Sequence, residues 1–104
     1  MYITNKTEFN YKLNIHAATM LMHGINIYYK NIRRIYKNKV EDNDYCDLML
    51  WTAKEETERL LRWFIKVKDR KSPLGIGLVD IQIKDLNWLL RKIERFRNKL
   101  RDVG

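Results

Sequence analysis

Between Tyr11 and Tyr36 apolar residues recur at alternating steps of four and three: Tyr11, Ile15, Ala18, Met22, Ile25, Tyr29, Ile32 and Tyr36. Such spacing keeps one side of an α-helix apolar for more than three heptads, and a strand with its period of two cannot use it. Leu21, Tyr28 and Ile35 widen the stripe on one flank. Thr7-Glu8 offers an N-cap and a first-turn acid, which predicts a start near residue 8. Gly24 interrupts the run at a cost of about 1 kcal/mol against alanine, so the helix either continues through it, kinks, or splits there.

Two further segments carry the same period. Cys46, Met49, Ala53, Leu60, Phe64 and Val67 share a face, with Trp63 beside them. Glu55–Arg59 and Glu58–Arg62 are spaced as i,i+4 pairs on the opposite face. Asp42, Asn43 and Asp44 are good N-caps for this segment, and Thr52-Ala-Lys-Glu55 offers a later capping box. The later start has one argument in its favour, because a helix over 45–51 would turn Trp51 away from the apolar stripe. The third stripe is Leu86, Leu89, Leu90, Ile93, Phe96 and Leu100. Its beginning is ambiguous, since Val79, Ile81 and Ile83 alternate with Asp80 and Gln82 as in a short strand. A lone strand has no partner to pair with, so helix from about Asp80 is preferred.

These segments predict an all-α fold of one domain over residues 1–104. It is an up-down-up bundle of three long helices at about 8–39, 45–70 and 80–101, joined by loops at 40–44 and 71–79. One proline and four glycines leave little turn material for a many-stranded sandwich or barrel. Leu, Ile, Val and Phe supply 30 of the 104 residues, enough for a small core.

One cysteine, Cys46, excludes an internal disulfide and a thiolate metal cluster. The first nine residues lack the apolar stretch of a signal peptide, and Leu13 to Tyr29 is too polar and short for a membrane span. Both point to a cytoplasmic, intracellular protein without a membrane partner. The richness in Ile, Lys, Asn and Tyr, with three alanines, fits an AT-rich source such as a phage or mobile element.

The formal charge is +8 and is unevenly spread: +6 over residues 1–40, −1 over 41–71 and +3 over 72–104. On the first segment Lys30, Arg33, Arg34 and Lys37 interleave with tyrosines, of which Tyr29 and Tyr36 belong to the core stripe. On the third, Lys84, Arg91, Lys92, Arg95 and Lys99 share the outward half with Trp88. Cations on two outer faces suit phosphate neutralisation, and an outward tryptophan suits base stacking or a protein pocket. The competing structural account is a solvated face, cations placed against helix dipoles, and Trp88 lying under Lys84 or Arg91. An acidic turn at 41–47 is expected beside the C-termini of the first and third helices, partly neutralising that end.

Phe9, Leu13, Met20 and Ile27 form a second seam, roughly 120–160° from the main stripe. Either the first helix is covered on two sides, by residues 1–6 or the 72–79 link, or the seam is a protein interface. His16 and His23 lie two turns apart, about 10 Å, too far to share a metal ion. No metal site, cofactor or small-molecule substrate is expected. Ser72 lacks nucleophile-elbow glycines, Gly75-Ile-Gly77 lacks a third glycine, and there is no phosphate-loop Gly-Lys-Ser/Thr. The expectation is a non-enzymatic binding protein that contacts nucleic acid or a nucleoprotein. The alternative is a protein-interaction module: a homodimer, or a small inhibitor or adaptor meeting an acidic partner.

Overall fold

A computed structural model describes the backbone of residues 2–69 and 76–103 and the side chains of 15–68 and 79–102. The described chain contains three helices: α1 (Tyr2–Lys37), α2 (Asn43–Asp69) and α3 (Ile76–Val103). There is no strand among the described residues. Helix α1 is one unbroken element through Gly24, so the split considered from the sequence does not occur. It begins at Tyr2, six residues before the start expected near residue 8 from the Thr7-Glu8 signal.

Helix α1 stops at Lys37, two residues short of expectation, for a local reason. Lys39 adopts a left-handed φ of 54°. The Lys39 N–H donates to the Tyr36 carbonyl and the Val40 N–H to the Ile35 carbonyl, both at 3.1 Å. That is the Schellman pattern, which satisfies the last carbonyls and turns the chain out of the helix. Asp42 then caps α2. Its Oδ1 accepts the Tyr45 N–H at 2.8 Å and its carbonyl accepts the Cys46 N–H at 3.1 Å. The earlier start is therefore the real one, and Trp51 points outward, 46% exposed. Helix α3 starts at Ile76, within the link expected at 71–79. Ile81 is 56% exposed and Gln82 is buried, the reverse of what a strand read from hydrophobic alternation requires.

The pairing runs up-down-up. Cys46 and Leu50 near the start of α2 meet Ile32 near the end of α1, while Phe64 and Val67 meet Ile15 and Ala18. Val79 sits with Ile15 at one end, and Phe96 packs on Tyr36 at the other. The core is thus two stacked clusters bridged by Ile25. The first holds Met22, Leu60, Phe64 and Leu86; the second holds Ile32, Leu50, Leu89 and Ile93.

Two ion pairs clamp α2 to α3. Arg97 donates through Nε to Asp47 Oδ1 at 2.9 Å, and Lys68 Nζ lies 2.7 Å from Asp80 Oδ1. On α2 itself the pairs differ from the i,i+4 reading. Arg59 meets Glu56 at 3.3 Å, and Glu58 meets Lys54 at 3.8 Å. Helix α1 packs mainly against α2 and touches α3 sparingly, which leaves a furrow along the α1/α3 side.

Candidate functional site

The furrow is lined by the C-terminal halves of α1 and α3, which run side by side. There it forms an open groove of about 920 Å³. Steps of three and four place Lys30, Arg33, Arg34 and Lys37 on the α3-facing flank of α1, and Lys92, Arg95 and Lys99 on the facing flank of α3. Tyr29, Tyr36 and Phe96 form the floor. Their rings meet edge to face, with centroids 6.3 Å apart for Tyr29–Phe96 and 5.2 Å for Tyr36–Phe96. The α1 face read from the sequence and the C-terminal part of the α3 face are therefore opposite walls of one groove. Asn38 and the floor role of Phe96 were not singled out by sequence; Phe96 fits the core spacing as well as the floor.

Seven cations and no acidic side chain line this groove. Among the described residues the ion pairs engage Lys54, Arg59, Lys68 and Arg97, none of which lines it. The acidic turn does not reach the groove lining either, since Asp47 is held by Arg97 and Asp42 is the α2 cap. Helix dipoles account for only part of the cluster. Their effect fades within the last turn, and the last turn of α1 holds Arg34 and Lys37 while that of α3 holds Arg101. Lys30, Arg33, Lys92, Arg95 and Lys99 lie further back and need another explanation. Arg33 lies close enough to Tyr29 to favour its phenolate, but burial outweighs it and raises the Tyr29 pKa above 10.0.

The lining holds no carboxylate, thiol, imidazole or aliphatic hydroxyl. Its chemistry is the holding of anions: guanidinium forks that meet phosphate or carboxylate in a bidentate manner, and ammonium groups that neutralise charge.

Lys84, Trp88 and Arg91 lie outside the groove, on the outer flank of α3. Together with Lys68, Asp80 and Asp85 they line a recess of about 720 Å³. Trp88 is 52% exposed, and the cation over its ring is Lys92, with Nζ 5.7 Å from the centroid, in place of Lys84 or Arg91. Lys92 thus belongs to the groove wall and to the Trp88 neighbourhood at once. His23 shares a small recess with Trp88, and His16 is exposed. No group of three or more His, Cys, Asp or Glu side chains converges among the described residues.

Among the described residues the second seam is exposed, and the side chains of 1–6 and of the 72–78 link, expected as its cover, lie outside them. Met20 and Ile27 are 58% and 60% exposed, as is their neighbour Leu21 at 62%. Phe9 and Leu13 have side chains outside the described residues. Met20, Leu21, Gly24 and Tyr28 border Thr52 and Ala53 across a shallow apolar furrow of about 250 Å³ on the α1/α2 side. Among the described residues no helix is long and apolar enough to cross a membrane.

No family model, curated protein or solved structure matches this chain, so the functional reading rests on its own residues.

Proposed function

We propose that this chain is a small non-enzymatic binding protein that holds the phosphate backbone of a nucleic acid, free or within a nucleoprotein, in the α1/α3 groove. The observation that carries the reading is the convergence of seven cations on one concave surface, with no acid in its lining and no ion-pair partner among the described residues. Gathering like charges is unfavourable to the fold, and a polyanion removes that repulsion while releasing its own counterions. The AT-rich composition favours a phage or mobile-element source and the single cysteine favours a cytoplasmic setting.

The test is charge reversal inside and outside the groove. Arg34→Glu with Arg95→Glu should weaken binding to any nucleic acid at least tenfold, because phosphate contacts carry the affinity irrespective of sequence. Arg59→Glu, on the exposed face of α2, should change it by less than about twofold. Equal effects from both sites would contradict a groove-centred interface.

A second reading has its own observation. Exposed Met20, Leu21 and Ile27 around Gly24 suit a protein contact, either a second copy or an acidic partner steered by the basic charge. A monomeric mass by light scattering at high concentration removes the homodimer version.

A further inference from the structure

We infer that the groove's ligand is a single strand and that Trp88 is the platform on which one of its unpaired bases stacks. This rests on the phosphate-binding reading of the groove and goes beyond it in naming the strandedness and the base contact.

Three observations lead there. The first is the groove's size. Its floor is closed by Tyr36 against Phe96 at 5.2 Å, and its walls are two neighbouring helices in a body 19 × 16 Å across its long axis. Such a furrow meets one phosphate backbone, and a base can reach a ring beside it only when it is unpaired. The second is the supply of π-faces. Tyr29 is buried and Tyr36 and Phe96 are engaged with one another, so the floor offers little free ring surface. Trp88 keeps half its surface exposed beside Lys84, Arg91 and Lys92, with Asp85 also bordering it, and a stacked base would desolvate it.

The third is continuity. Lys92 stands in the groove wall and over the Trp88 ring, and Lys84 and Arg91 continue the basic track past it. From Arg95 to Trp88 the α3 axis runs about 10 Å, roughly three nucleotides at the per-strand spacing of DNA. A strand laid in the groove therefore reaches Trp88 without leaving α3. Lys68 holds Asp80 at 2.7 Å, which offsets one of the two carboxylates in the adjoining recess. Lys92 sits over the ring at a distance that costs little to give up, since an exposed cation–π contact is worth about 0.5–1 kcal/mol.

The experiment is a titration of the full chain, wild type, Trp88→Ala and Trp88→Phe, with an oligothymidylate of about ten nucleotides and with a duplex of equal length. The inference predicts tighter binding of the single strand by wild type. Trp88→Ala should weaken single-strand binding about 5- to 150-fold, the range found for one stacked base, and Trp88→Phe should recover most of it. Duplex binding should change by less than about twofold in either variant, because phosphate contacts do not need the ring. If Trp88→Ala alters both forms equally or neither, while the Arg34→Glu, Arg95→Glu chain loses both, stacking is overturned and the groove reading stands. If wild type binds neither nucleic acid at low salt, both readings fall, and an acidic protein becomes the ligand to pursue.

Discussion

At the scale of single residues, Gly24 is the position with least internal justification. A Cβ built there meets no heavy atom within 4 Å, and the helix continues through it. Gly24→Ala should therefore raise the stability of the isolated chain by about 0.5–1 kcal/mol, read from urea unfolding. A loss of stability would mean that α1 needs the glycine for its path. Three titratable groups favour the fold in their neutral forms. Burial, and then the charges of Asp42 and Glu41, push the Cys46 thiol above its ordinary 9.0. Burial first, then Tyr45, does the same for Tyr28, and burial for Tyr29, both from 10.0. In each case the folded chain prefers the protonated, neutral form. The stability these groups contribute is complete below the unfolded pKa and is lost as pH rises through the folded one. The urea midpoint should thus hold level from neutrality to about pH 9 and fall above it, with alkylation of Cys46 slow until the fold opens. A midpoint that rises over that alkaline range would contradict the burial of these groups.

At the scale of elements, the turn between α1 and α2 decides where the α1 wall of the groove ends. Lys39 takes its left-handed φ of 54° against the preference of a residue with a Cβ, and Asp42 caps the next helix. Lys39→Gly should stabilise the chain by about 1 kcal/mol, and Asp42→Ala should cost about as much, whereas Thr52→Ala should be near neutral. Thermal unfolding of the three variants checks this order. A large cost at Thr52 would indicate that the later capping box is the true start. The existence and faces of all three helices were legible because the apolar stripes are long and keep their phase. The boundaries were less so, each for a local reason. The Thr7-Glu8 cap signal lies inside a helix already under way at Tyr2. At the start of α3 a buried Gln82 occupies a core position while Ile81 faces outward, so hydrophobicity and burial disagree there.

At the scale of the whole molecule, the bundle is a rod of 58 × 19 × 16 Å with different surfaces on the two flanks of α1. The α3 flank carries the cations, and the α2 flank carries the exposed apolar seam. Every charged residue of the groove was readable as a cation on a helix face. Their convergence was not, because it depends on α1 and α3 running parallel with Tyr36 beside Phe96, a pairing that spacing within either helix does not encode. Trp88 was readable as outward and Lys92 as its i,i+4 neighbour, but the place of Lys92 in the groove wall required the packed arrangement.

The central claim, that the groove holds a phosphate backbone, is tested most directly by the salt dependence of single-strand affinity. Each neutralised phosphate contributes about −0.7 to the slope of log affinity against log salt, so the seven lining cations set a limit near −5. A slope on the order of −3 to −5 that becomes shallower by about one or two in the Arg34→Glu, Arg95→Glu chain is the expected result. A slope near zero, or one unchanged by the two reversals, would contradict it.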